Sequence, residues 1–76
     1  MEKYFVISHK IKDEYNAPCK TYGIALRMGS ILKSKIEDIS TDKGYVKKIV
    51  SCMNHYRVPD IHFKNVVEDI LVGGIS

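Results

Sequence analysis

The apolar positions of this chain change period near its middle. As far as Ile39 they alternate, as on a pleated strand; from Tyr45 onward they recur every three or four residues, as on a helix. The change falls within Ile36-Glu37-Asp38-Ile39-Ser40-Thr41-Asp42-Lys43, and a join between two such periods predicts a two-layer α+β domain. Lys3 to Ile11 is rich in β-branched and aromatic residues and predicts a first strand. Phe5, Ile7, His9 and Ile11 share one face of it, and Tyr4, Val6, Ser8 and Lys10 the other. Lys12 to Lys20 carries the turn formers Asp13, Asn16 and Pro18 and reads as a loop. Thr21 to Arg27 predicts a second strand with Tyr22, Ile24 and Leu26 on its apolar face. Gly23 within it predicts a bulge or a close backbone approach.

Met28-Gly29-Ser30 is a hairpin turn, and Ile31 to Ile39 the third strand. In that strand Leu32, Ser34 and Ile36 share a face, opposite Lys33, Lys35 and Glu37. Ser40-Thr41-Asp42 opens a helix, with hydroxyls able to accept from orphan amides and an anion where the macrodipole favours one. Val46, Ile49, Val50 and Met53 form its stripe, and Tyr45, Cys52 and Tyr56 widen the apolar arc on one flank to roughly 160°. Arg57-Val58-Pro59-Asp60 breaks this helix. A second helix follows from about Asp60 to Val72, burying Phe63, Val66, Val67, Ile70 and Leu71, and Gly73-Gly74 stops it. The expected fold is α+β: a three-stranded antiparallel β-meander followed by a two-helix hairpin packed on one face, in the order β-β-β-α-α. Residues 3–72 form the domain and residues 73–76 a frayed tail.

Composition narrows the class. Seventy-six residues make one small domain with modest stability. Cys19 and Cys52 are placed in a loop and a helix, which predicts two free thiols in a reducing compartment. No apolar run reaches the roughly 18 residues of a spanning helix, and the opening Met1-Glu2-Lys3-Tyr4 leads straight into strand pattern without a signal peptide. The expectation is a cytoplasmic protein with no membrane partner. Twelve basic against nine acidic residues leave a net charge of +3, which permits an acidic partner without requiring one.

Three segments of this architecture carry a resemblance: Tyr22-Gly23-Ile24, Asp38-Ile39-Ser40-Thr41-Asp42, and Val66-Val67-Glu68-Asp69 preceded by His62-Phe63. In order and spacing the chain resembles, from about Tyr4 to Leu71, a family of short bacterial proteins that is a domain of unknown function. The resemblance implies a small cytosolic protein and supplies neither an activity nor site residues.

Candidate chemistry is sparse. His62, Asn65 and Asp69 line one helix flank, but His62 and Asp69 are about 10 Å apart along the axis, too far for a direct bond. Cys52 and His55 are three apart, and the wheel turns His55 toward water. Cys19, Cys52, His9, His55 and His62 lack the loop spacing of a zinc site. Glu68 and Asp69 sit near a helix C-terminus, where the macrodipole disfavours anions and a lysine partner is expected. No cofactor, metal or catalytic group is therefore expected, and the chain reads as a non-enzymatic protein-interaction or regulatory module with an unknown protein partner. Two surfaces stand out. Tyr45, Cys52 and Tyr56 offer an apolar flank for a twofold homodimer, with the sheet edges as a second route to the same assembly. Tyr4, Lys10, Arg27, Lys33 and Lys35, with Ser8 and Thr21, are expected on the uncovered sheet face. That face makes single-stranded nucleic acid the alternative ligand.

Overall fold

The computed structural model describes residues 2–12 and 14–73. Three strands, β1 (Glu2–Lys12), β2 (Pro18–Met28) and β3 (Ile31–Ser40), form an antiparallel sheet in the order β1-β2-β3. The helix α1 (Lys43–His55), a single 3₁₀ turn (Asp60–His62) and the helix α2 (Phe63–Gly73) follow. This is the expected α+β meander followed by two helices. The strands outrun their expected limits. β1 and β2 pair in unbroken register from Glu2–Met28 to Lys12–Pro18, so Lys12, Pro18, Cys19 and Lys20 of the predicted nine-residue loop belong to strands. Asp13, expected as a turn former, and residues 74–76 of the expected tail lie outside the described residues; Gly73 is still helical.

One core cluster joins the layers. Tyr4, Ile24 and Leu26 of the sheet meet Val46, Ile49, Val50 and Met53 of α1 and Phe63 and Val67 of α2. The predicted stripes of both helices are thus buried, apart from Leu71, which is exposed, and Val66 and Ile70, which are half-buried.

Helix boundaries follow from local chemistry. Asp42 caps α1: its side chain accepts from the Tyr45 amide at 3.2 Å, and the Ser40 hydroxyl accepts from the Asp42 amide at 3.0 Å. At the other end the Val58 amide donates to the Met53 carbonyl and the Arg57 amide to the Asn54 carbonyl. This is a Schellman closure, in which Arg57 takes the left-handed φ of 52° that glycine usually supplies. The expected second helix starts late. Pro59 holds an extended backbone, Asp60 to His62 form the 3₁₀ turn, and the α-helix begins at Phe63.

Two face assignments are corrected. On β1 the faces are inverted: Tyr4 is buried at 2% exposure, while Phe5 and Ile7 lie on the uncovered side. Both faces of β1 carry apolar residues, so its own alternation does not choose between them. The register does, setting Tyr4 opposite Leu26 and Val6 opposite Ile24, so that both turn toward the helices with β2's apolar face. Tyr4 tolerates burial because its hydroxyl donates to the Val58 carbonyl at 2.8 Å and its ring meets Phe63 edge-on at 5.0 Å. On β3, Leu26 pairs with Ser34 but Arg27 with Leu32, so Lys33 is an extra residue in a bulge. The bulge turns Leu32 out, leaving it 50% exposed, and turns Lys33 toward the helix side.

A second irregularity lies between Tyr22 and Ile24, where β3 carries Asp38 at φ 56°. Thr21 donates its hydroxyl to the Asp38 carboxylate and anchors that kink. Gly23 is required there: a Cβ would sit 2.2 Å from the Ile36 carbonyl oxygen. The close approach expected from the sequence is therefore present.

Candidate functional site

The helices cover one face of the sheet and leave the other open. On the open face, cross-strand pairing sets Phe5 beside Ala25 and Lys3 beside Arg27, with Lys35 opposite Ala25 on β3. Phe5, Ile7, Ala25 and Leu32 line a shallow concavity of about 340 Å³, rimmed by His9, Arg27, Lys35 and Glu37. The Arg27 guanidinium lies 4.8 Å from the centre of the Phe5 ring, a cation–π contact that orders both side chains. Lys35 and Glu37 form an ion pair at 2.7 Å, and the hydrogen bond from Lys35 holds the Glu37 carboxyl below its ordinary range.

Of the five residues expected on a basic free face, Arg27 and Lys35 are there. Tyr4 is in the core, and Lys10 projects, by strand alternation, from the same side of β1 as Tyr4. Lys33 is engaged elsewhere, its ammonium 3.1 Å from Asp60 and 3.7 Å from Glu2. The hydrogen bond to Asp60 raises the Lys33 pKa and lowers that of Asp60. This link ties β3 and the start of β1 to the 3₁₀ turn, and the bulge that makes it possible has no local sequence signal. Ser8 and Thr21, also expected on the free face, differ in placement: strand alternation puts Ser8 with Tyr4, although it still borders the concavity, and Thr21 is buried at the Asp38 kink.

The helical flank is partly used by the fold. Tyr45 packs against the core, Cys52 is half-buried, and Tyr56 is 72% exposed with its ring edge-on to His55 at 4.9 Å. Both cysteines are free. Among the described residues no group of three His, Cys, Asp or Glu could hold a metal ion, and no helix is long and apolar enough to cross a membrane.

The edges of the sheet differ. At the start of β1 the Asn54 amide meets the strand as another strand would. Its Oδ1 accepts from the Tyr4 N–H at 2.9 Å and its Nδ2 donates to the Tyr4 carbonyl at 2.9 Å. Sequence reading missed this residue, because an asparagine inside a helix reads as an exposed polar position; its one signal is that Asn is a mediocre helix former with no cap to make there. Beside it, an open groove of about 780 Å³ runs along Glu2, Tyr4, Met28, Met53, Asn54 and Arg57 to Val58 and Pro59.

These features define a small α+β domain in which, among the described residues, one sheet face and most of the β1 edge are uncovered. The chain belongs to DUF6514, a family of unknown function, whose profile matches residues 2–73. No curated protein and no solved structure matches it.

Proposed function

We propose that this chain is a non-enzymatic protein-interaction module whose partner seats on the open face of the sheet. The observation that carries the reading is the apolar concavity of Phe5, Ile7, Ala25 and Leu32 on the face that neither helix covers. Its rim favours one kind of partner. Lys3, Arg27 and Lys35 outnumber Glu37, and the whole chain carries +3, so the complement is an apolar protein patch bordered by carboxylates. Two free thiols suit a cytoplasmic setting. The test is capture from native cytoplasm by immobilised wild-type protein beside Ile7→Asp and Arg27→Glu. A captured partner lost with Ile7→Asp and made salt-labile by Arg27→Glu supports the reading. Capture indifferent to both substitutions refutes it.

Single-stranded nucleic acid is the second reading, on the same three cations. It has less support, because Arg27 already covers the Phe5 ring and Tyr4 is not available for stacking. A gel shift with mixed single-stranded RNA and DNA at two salt concentrations separates the readings, since phosphate binding weakens steeply with salt and is abolished by Arg27→Glu with Lys35→Glu.

A further inference from the structure

We propose that the free edge of β1 pairs with β1 of a second copy of this chain, antiparallel about a twofold axis at Ser8, to make one six-stranded sheet. The inference uses the edge of the sheet and goes beyond the reading of its face. Asn54 sets the phase. Because the Tyr4 N–H and carbonyl reach Asn54, they point away from β2, and by the alternation of an antiparallel ladder so do those of Val6, Ser8 and Lys10. Among the described residues nothing meets those outward groups, and Ser8 and Lys10 are exposed.

The two edges are not equally fit for pairing. β1 runs through eleven paired residues with no register shift and no proline. β3 is bulged at Lys33 and kinked at Asp38, both of which bend an edge away from a flat partner. A regular edge with unpaired outward N–H and carbonyl groups is a template for another strand.

Side-chain pairing points to a second copy as that strand, and charge selects the antiparallel over the parallel arrangement. Around a twofold at Ser8, Lys10 falls beside Val6 of the other copy, and Ser8 beside Ser8. On the open face, Phe5 falls beside Ile11 of the other copy and Ile7 beside His9, which continues the apolar strip across the axis. A parallel pairing would instead set Lys10 against Lys10 and Lys12 against Lys12. The Asn54 amide closes the new ladder at both ends, because Tyr4 is the next outward residue and is already bonded. A ladder this short sits at the low end of specific interfaces, below about 1,200 Å² in total, so the dimer forms in a concentration-dependent way.

Sedimentation velocity of the whole chain from low to high micromolar concentration should show a species of 8.7 kDa giving way to one of twice that mass. Over the same range, amide exchange at Val6, Ser8 and Lys10 should slow, a change that a contact through Tyr45 and Tyr56 would not produce. Ser8→Pro removes an outward N–H that β2 does not use, so it should leave the circular dichroism intact and abolish the dimer. Should proline unfold the strand, Ser8→Asp and Ser8→Lys serve instead: each alone should lose the dimer, and a mixture of the two should restore it, because only a twofold at this residue brings them face to face. A monomer at every concentration overturns the proposal. So does a dimer that survives Ser8→Asp, or one whose outward β1 amides exchange as fast as in the monomer. Ile7 also lies beside the axis, so Arg27→Glu, on β2 and outside the β1 pairing, separates the two readings: it should make capture salt-labile and leave the dimer intact.

Discussion

Replacing Asn54 by alanine should cost about 1.5 kcal/mol, and the amount follows from two hydrogen bonds. Both bonds from the Asn54 amide to the Tyr4 backbone are 2.9 Å long and partly buried. A hydrogen bond of this kind contributes a net of about 0.5–1.5 kcal/mol, so the pair contributes roughly 2 kcal/mol. The penalty does not reach the full cost of two stranded groups, because the Tyr4 backbone borders the open groove and water can replace the amide. Alanine also recovers about 0.5 kcal/mol of helix propensity in α1. The remaining loss of about 1.5 kcal/mol corresponds to a fall in Tm of about 6–12 °C in a domain this size.

Asn54→Asp is the sharper control. It keeps the shape and the acceptor for the Tyr4 N–H, but it points a carboxylate oxygen at the Tyr4 carbonyl. It should therefore cost at least as much as alanine. Urea denaturation of the three proteins, with equal m-values, gives the differences directly, and amide exchange at Tyr4 should accelerate in both variants. If Asn54→Asp melts with the wild type and Asn54→Ala changes the midpoint by less than the error of the fit, the amide is not holding the strand and the phase assigned to the β1 edge fails with it.

Phe63→Ala should cost about 3–5 kcal/mol by denaturation, since the ring is 1% exposed and supports Tyr4; an unchanged midpoint would contradict its place in the core. Gly23→Ala should cost on the order of 3 kcal/mol or more, because the new methyl must displace the Ile36 carbonyl, and a soluble variant with native stability would refute the close strand approach. Arg57→Gly should raise stability by about 1 kcal/mol by relieving the left-handed backbone of a side-chain residue; a fall in Tm would show that the Arg57 side chain contributes more than its backbone costs. Burial raises the Tyr4 pKa, with Glu2 and Asp60 adding to it, so the folded state favours the neutral phenol. Stability is then complete below the ordinary tyrosine value of about 10 and declines as pH rises above it, with Lys33, also raised, moving the same way. Tyr4→Phe should flatten that alkaline decline in a urea titration, and an equally steep decline would place its source elsewhere.

What the sequence reveals here depends on whether one residue's neighbours in the chain are also its neighbours in space. The stripe Val46-Ile49-Val50-Met53 is a local pattern and is buried throughout; of the second helix's stripe Phe63 and Val67 are buried, Val66 and Ile70 half-buried and Leu71 exposed. Gly23 is legible because a lone glycine in an apolar strand has few other uses. The face of β1 is not legible, because Tyr4 and Val6 on one side and Phe5 and Ile7 on the other both offer apolar surface, and only the register with Leu26 and Ile24 decides. The bulge at Lys33 is likewise a property of the β2–β3 pair, and it moves Lys33 off the face that Arg27 and Lys35 occupy. The left-handed turn at Arg57 carries no glycine to announce it, although Pro59 marks the break two residues later.

The irregular features of this sheet are all on one side of it, and that asymmetry links the fold to its free surfaces. The bulge at Lys33 is what lets one ammonium reach both Asp60 and Glu2, clamping the inter-helix turn onto the strands. The kink at Asp38, held by Thr21, lets β3 close over Gly23 and run on to the cap at Asp42. Each device comes with a distortion of the β3 backbone, so the edge that secures the helices is the edge least able to pair. β1 secures the helices differently, through the Tyr4 side chain and a single amide from Asn54, and so keeps a regular ladder from Val6 onward. The same inversion that carries Tyr4 inward carries Phe5 and Ile7 outward, next to that ladder. One choice of register on β1 thus sets the buried tyrosine, the apolar open face and which backbone groups of the edge point outward, and a substitution that disturbed the register would alter all three.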